Sequence, residues 1–187
     1  MLTSTERVAL LRFARDTIAA YLTGSVPPPP VGLSDPGAHS GAFVTLHARG
    51  ELRGCIGHPG SSKPLDEVVG VCAVAASTED PRFPPLTAAE LPDIAVEISV
   101  LTPIRPVDTV DEIEVGRDGL VAQDGFRRGL LLPQVAVEHR WDRDTFLSHT
   151  CLKAGLRPDA WRTGARISRF QAEVFSEESE GVAPPGR

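Results

Sequence analysis

The chain has 187 residues and a mass of 20.0 kDa, with 41% hydrophobic and 24% charged residues, enough for a real core in one domain or one lobed domain. Its net charge of −6 and pI of about 5.4 lack the basic surplus of a general nucleic-acid binder, although an acidic total leaves room for a local basic site. The longest uncharged stretch, Thr17 to Ser34, is interrupted by Pro27 to Pro30, which excludes a spanning helix there.

The N-terminus lacks the basic-then-apolar order of a secretion signal. Cys55, Cys72 and Cys151 are odd in number and far apart, without zinc-ligand spacing. Together these features predict a cytoplasmic, reduced protein with no metal and no cofactor motif.

Thr3 and Glu6 have capping-box spacing, and Val8, Leu11, Ile18, Tyr21 and Leu22 follow at helical intervals up to Gly24. The pattern predicts a helix over 4–22, then a stiff proline- and glycine-rich loop over 26–38. Two strands follow, over 41–48 and 52–56, joined by an Arg49-Gly50 turn. Alternation along the second would put Leu52, Gly54 and Ile56 on one face. Arg53 and Cys55 would share the other, about 6.5–7 Å apart along the strand.

Ser62 is a candidate cap, and Pro64 lies near the first turn of a helix carrying Leu65, Val68, Val69, Cys72 and Ala76. It ends before the rigid loop Asp80 to Pro85. Thr87 and Glu90 repeat the capping-box spacing. Over 94–101 the side chains alternate strictly, with Glu97 as the sole charge of that strand.

Val110 to Val115 reads as a weaker strand. Asp124-Gly125 predicts a hairpin between strands over 120–123 and 126–132. Residues 134–140 suit one or two helical turns. Asp142 or Asp144 can cap a helix bearing Phe146, Leu147, Cys151 and Ala154, closed by Gly155. Pro158 to Trp161 suits a short turn. Ile167 to Phe175 reads as a last strand, with Phe170, Ala172 and Val174 on one face. Residues 176–187 lack periodicity and predict a flexible acidic tail after a domain over 1–175. The fold class is α+β: mainly antiparallel sheet flanked by helices.

Seven segments in this order carry a family resemblance. They are Gly41 to Leu46, Leu52-Arg-Gly-Cys-Ile-Gly57, Asp80 to Thr87, Val96 to Pro103, Val115 to Leu120, Leu131 to Val135, and Cys151 to Leu156 with Trp161. The chain resembles the AMMECR1 domain family, whose bacterial members are called AmmeMemoRadiSam system protein A. The resemblance implies two unequal subdomains, the smaller formed by an internal segment. It also implies association with a Memo-like protein and a radical S-adenosylmethionine protein. It supplies a context of partners rather than a reaction.

Chemistry concentrates at the Leu52–Gly57 motif. Cys55 is a candidate nucleophile or redox thiol beside the charge of Arg53; the competing reading is a small packing residue. Arg53 could bind a carboxylate or phosphate, or pair structurally with Glu97 or Asp80. Gly54 and Gly57 could open an anion-binding nest or simply turn the chain. Glu97 is a candidate general acid or base if its face meets Cys55, and a solvated carboxylate otherwise. Asp80 and Arg82 lie on a proline-stiffened loop, where they would bind a ligand or fix the loop. Trp141 and Trp161 read as core or subdomain-contact residues. Two functions compete: a small-molecule or modified-residue site with Cys55 at its centre, possessing catalytic capacity, and a non-catalytic subunit whose groove holds a partner protein. Neither needs a membrane or nucleic acid.

Overall fold

The structure is a computed structural model and describes residues 2–33, 39 and 41–182. The expected loop over 26–38 and the tail beyond 182 lie partly or wholly outside those residues. In chain order the elements are α1 (Ser4–Thr23), β1 (Gly41–Ala48), β2 (Glu51–Pro59), α2 (Leu65–Thr78), β3 (Ile94–Leu101), β4 (Arg105–Pro106), β5 (Asp118–Asp124), β6 (Arg127–Leu131), α3 (Pro133–Glu138), α4 (Arg143–Lys153), α5 (Ala160–Thr163) and β7 (Arg166–Ser176). Short 3-10 turns occupy Ala88–Asp93 and Val110–Glu112. The fold is α+β, with antiparallel pairing of β1 with β2, β4 with β7, and β5 with both β6 and β7.

The chain forms two compact units, one from Met1–Val100 with Glu173–Arg187 and one from Leu101–Ala172. In the first, the strand order is β2-β1-β3 followed by the end of β7. Helices α1 and α2 supply Leu10, Leu11, Ile18, Val69 and Cys72 to a core with Val44 and Leu46 of β1, Val96 and Ile98 of β3, and Phe175 of β7. Burying each large aliphatic side chain there contributes about 1.5–3 kcal/mol. The α1 capping box forms as its spacing predicts, and Gly24 closes the helix at φ 68°. The buried stripe, however, is Leu10, Leu11, Ala14 and Ile18, while Tyr21 is exposed.

That stripe also contains Arg15, which sequence periodicity did not single out. Its guanidinium is buried, pairs with the buried Glu177 carboxylate at 2.6 Å, and donates to the Leu91 carbonyl at 3.1 Å. Glu177 also accepts from the Val96 amide at 2.8 Å. The buried Arg15 charge is thus neutralised by a carboxylate 162 positions away. Glu180 is likewise bonded back to α1, accepting from the Arg7 guanidinium at 2.7 Å and the Ser4 hydroxyl at 2.9 Å.

The second unit packs α4 on β5 and β6. Phe146, Leu147 and Cys151 meet Leu120, Ala122 and Ile167. Trp141 and Trp161 are partly buried and pack against this core. Trp141 stacks between His139 and His149, with centroids 4.7 and 3.9 Å away. Gly125 at φ 56° makes the Asp124-Gly125 hairpin.

Two strand readings change. Val110–Glu112 is a 3-10 turn, because Thr109 and Glu112 form a capping box at its start. In β7, Phe170 and Phe175 are buried while Val174 is exposed. A single alternation fails because the strand serves one core with Ile167 and the other with Phe175.

Candidate functional site

Strand β2 ends the strand order of its unit, so its outer backbone groups have no strand partner among the described residues. Cys55 stands opposite Thr45 in the β1 register. Both Cys55 backbone groups point away from β1. Its amide donates to Asp80 Oδ2 at 2.8 Å, and its carbonyl accepts from Arg82 Nη2 at 3.5 Å. Thr45 and Cys55 are thus a non-hydrogen-bonded pair, the kind in which facing side chains lie closest. The Thr45 hydroxyl accordingly donates to Cys55 Sγ at 3.3 Å.

The Asp80-Arg82 pair behaves as a substitute strand. Arg82 grips the Asp80 carboxylate through Nε at 2.9 Å and Nη2 at 2.6 Å, and the Arg82 amide adds a third bond at 3.1 Å. Asp80 is buried, while Arg82 is largely exposed. The Arg82 hydrogen bonds hold the Asp80 carboxyl far below the usual carboxylate range. They overcome the opposing effect of burial, helped by the Cys55 and Arg82 amides. The sequence brings these residues together through Pro81 and the proline pair after Phe83, and Leu86 anchors the loop in the core.

The register of β1 and β2 shifts between Leu46 and His47, leaving Arg53 without a cross-strand partner. This bulge overturns the simple alternation. Gly54 and Ile56 face the core as expected, but Leu52 pairs with His47 and is exposed. The bulged Arg53 donates from Nε to Glu90 Oε1 at 3.1 Å and from Nη1 to the Pro84 carbonyl at 3.0 Å. Its partner is neither Glu97 nor Asp80. Glu90 divides its oxygens: Oε2 accepts from Thr87 in the capping box, and Oε1 takes Arg53. The Phe83 ring lies against two guanidiniums, 6.0 Å from that of Arg53 and 5.5 Å from that of Arg82.

Gly54 and Gly57 form neither a nest nor a turn, since both lie in β2 and neither has positive φ. They are close-approach positions. A Cβ on Gly54 would stand 2.1 Å from the Ala76 carbonyl oxygen of α2, and one on Gly57 would stand 2.2 Å from the Phe43 ring. Glu97 is half-buried on β3, between the core residues Val96 and Ile98 and so on the face opposite the core. Among the described residues no hydrogen bond or ion pair joins it to Cys55 or Arg53.

Structure thus brings together Arg53, Cys55, Asp80 and Arg82, leaves Glu97 outside their bonded network, and adds Thr45, Phe83 and Glu90. The Glu90 position was readable from its capping box; Thr45 required the strand register. Cys55 is partly exposed, whereas Cys72 and Cys151 are buried. Burial pushes the Cys72 thiol up to about 11 and also raises that of Cys151. A cavity of about 340 Å³ lies at the far end of β2, lined by His58, Pro59, Ser61, Lys63, Val68 and Val71 among others. No cluster of three or more His, Cys, Asp or Glu able to hold a metal occurs among the described residues. No helix among them is long and apolar enough to cross a membrane.

The fold and the site define an α+β protein that displays a half-buried thiol on an outer strand clasped by an aspartate-arginine loop. The chain belongs to the AMMECR1 family, whose sequence profile matches residues 11–175. A protein of Thermofilum pendens is 48% identical over 94% of this chain and 92% of its own length. Protein MJ0810 of Methanocaldococcus jannaschii is 44% identical, covering 95% and 92%. The crystal structure of uncharacterised protein PH0010 from Pyrococcus horikoshii superposes with a TM-score of 0.83 at 40% identity, covering 95% of this chain and 92% of that one.

Proposed function

We propose that this AMMECR1-family chain binds a small molecule or a modified residue at the Cys55 face, with Cys55 as nucleophile or group carrier. The supporting observation is the arrangement around the sulfur. A partly exposed thiol receives a hydrogen bond from Thr45, and the strand beneath it is locked by Asp80 and Arg82. A reactive group held by fixed neighbours reacts more readily than one on a mobile loop. In this reading Arg53 and Arg82 provide the positive side of the site, and the family context supplies a Memo-like protein and a radical S-adenosylmethionine protein as partners.

A second reading keeps the same face for a protein partner without catalysis. It is favoured by one observation: among the described residues no histidine or carboxylate hydrogen-bonds to Cys55 Sγ. Alkylation of the native protein near neutral pH separates the two. The nucleophile reading expects one fast-reacting thiol in the wild type and none in Cys55→Ser, because Cys72 and Cys151 are buried. A Cys55 that reacts only after denaturation overturns it. Co-purification with the two partners tests the association, and absence of any complex counts against it.

A further inference from the structure

We propose a second binding site, independent of Cys55, for a phosphate or carboxylate group within Leu101–Ala172. A cavity of about 410 Å³ there is lined by Arg105, Arg117, Asp118, Arg169 and Gln171 among others. Its size suits a small metabolite. Three guanidiniums and a single carboxylate line it, in a chain whose total charge is −6.

The arrangement of those charges suits a bound anion. Arg105 of β4 stands directly opposite Arg169 of β7 in an antiparallel pair. Like charges in facing positions repel. Arg169 is partly neutralised: it donates to the Glu112 carbonyl at 2.8 Å, and reaches Glu112 Oε2 at 3.3 Å and Asp118 Oδ2 at 3.5 Å. Arg117 is committed to Asp118 at 3.1 and 3.2 Å and also pairs with Glu114. The Arg105 guanidinium makes no hydrogen bond or ion pair among the described residues; only its backbone is engaged, in the pairing with β7.

Asp118 is buried and ties Arg117 and Arg169 to one carboxylate. Burial opposes its charge, but the bonds from Arg117 and the Glu114 amide hold its carboxyl below the usual range. Its part is to place two guanidiniums on the cavity wall. An oxyanion between Arg105 and Arg169 would relieve their repulsion and satisfy the Arg105 fork, which matches phosphate or carboxylate geometry.

The test uses the full chain and measures thermal unfolding and calorimetric binding with inorganic phosphate, pyrophosphate and citrate, against chloride at matched ionic strength. Wild type should bind at least one probe, and Arg105→Ala should weaken that binding by about tenfold or more. Because the Arg105 side chain has no hydrogen-bond or ion-pair partner among the described residues, Arg105→Ala in chloride should melt no lower than wild type. Arg105→Lys should retain part of the affinity as a point charge. Kosmotropic anions raise the stability of proteins generally, so only the difference between wild type and Arg105→Ala counts. A response to the phosphates alone identifies a phosphoryl ligand, and one to citrate alone a carboxylate. Absence of binding to all three probes, or equal binding by Arg105→Ala, overturns the proposal.

Discussion

Asp80 carries more of the local structure than any other side chain near Cys55. It accepts from the Cys55 amide, the Arg82 amide and the Arg82 guanidinium. Asp80→Ala should destabilise the chain by about 1–3 kcal/mol, the cost of unsatisfied partners, read from chemical denaturation. The pH dependence has a definite sign. A carboxyl whose folded pKa lies below its unfolded value adds stability above the unfolded value, about 3.9, and loses it as pH falls further. The stability gap between wild type and Asp80→Asn should therefore be full at pH 7 and narrow below about pH 4. A gap that stays constant across that range would contradict the Asp80-Arg82 assignment. Sequence marked Cys55, Arg53, Asp80 and Arg82 as a group because unusual residue types clustered in two short segments. It could not show that Asp80 binds a backbone amide 25 positions away, since that bond depends on which strand lies at the edge.

Among the elements, β2 shows how local spacing and tertiary context divide the outcome. Its glycines are required by α2 and by Phe43. Gly54→Ala would drive a methyl into the Ala76 carbonyl oxygen, where backbone cannot yield as a side chain does. It should cost about 1–3 kcal/mol or more and lower the melting temperature, with Cys55 alkylation reporting any change in the site. Capping boxes at Thr3, Thr87 and Thr109 are all formed. Two were readable because each stood before a recognised helical segment; the third was hidden by the β-branched residues after it. The bulge at Arg53 could not be read, because a register shift is a property of two strands and its sign appears in neither sequence alone. Its consequence is the exposure of Leu52 and the turning of Arg53 toward Glu90.

At the scale of the molecule, the two units differ in how the chain supplies them. Leu101–Ala172 is one continuous segment with its own core around Phe146 and Leu120. Expressed alone, residues 101–172 should show cooperative unfolding by circular dichroism; a non-cooperative melt would mean that this core is insufficient. Residues 1–100 alone lack Phe175 and Glu177, and should fail to fold stably. In the full chain, Glu177→Gln leaves Arg15 buried and charged, and should cost about 3–5 kcal/mol by denaturant titration. The α+β class was legible from adjacent strand patterns with helices between them. Its division was not, because β7 reads as one strand while serving two cores.

The Arg15-Glu177 pair also sets an order of events at the ribosome. Its members are separated by 162 positions, so at about 5–20 residues per second Arg15 waits roughly 8–32 s for its counter-charge to be made. The continuous segment 101–172 is made before that moment, while α1 still lacks the Glu177 carboxylate. Chaperone capture during translation should therefore favour α1 with its unneutralised arginine over the continuous segment 101–172.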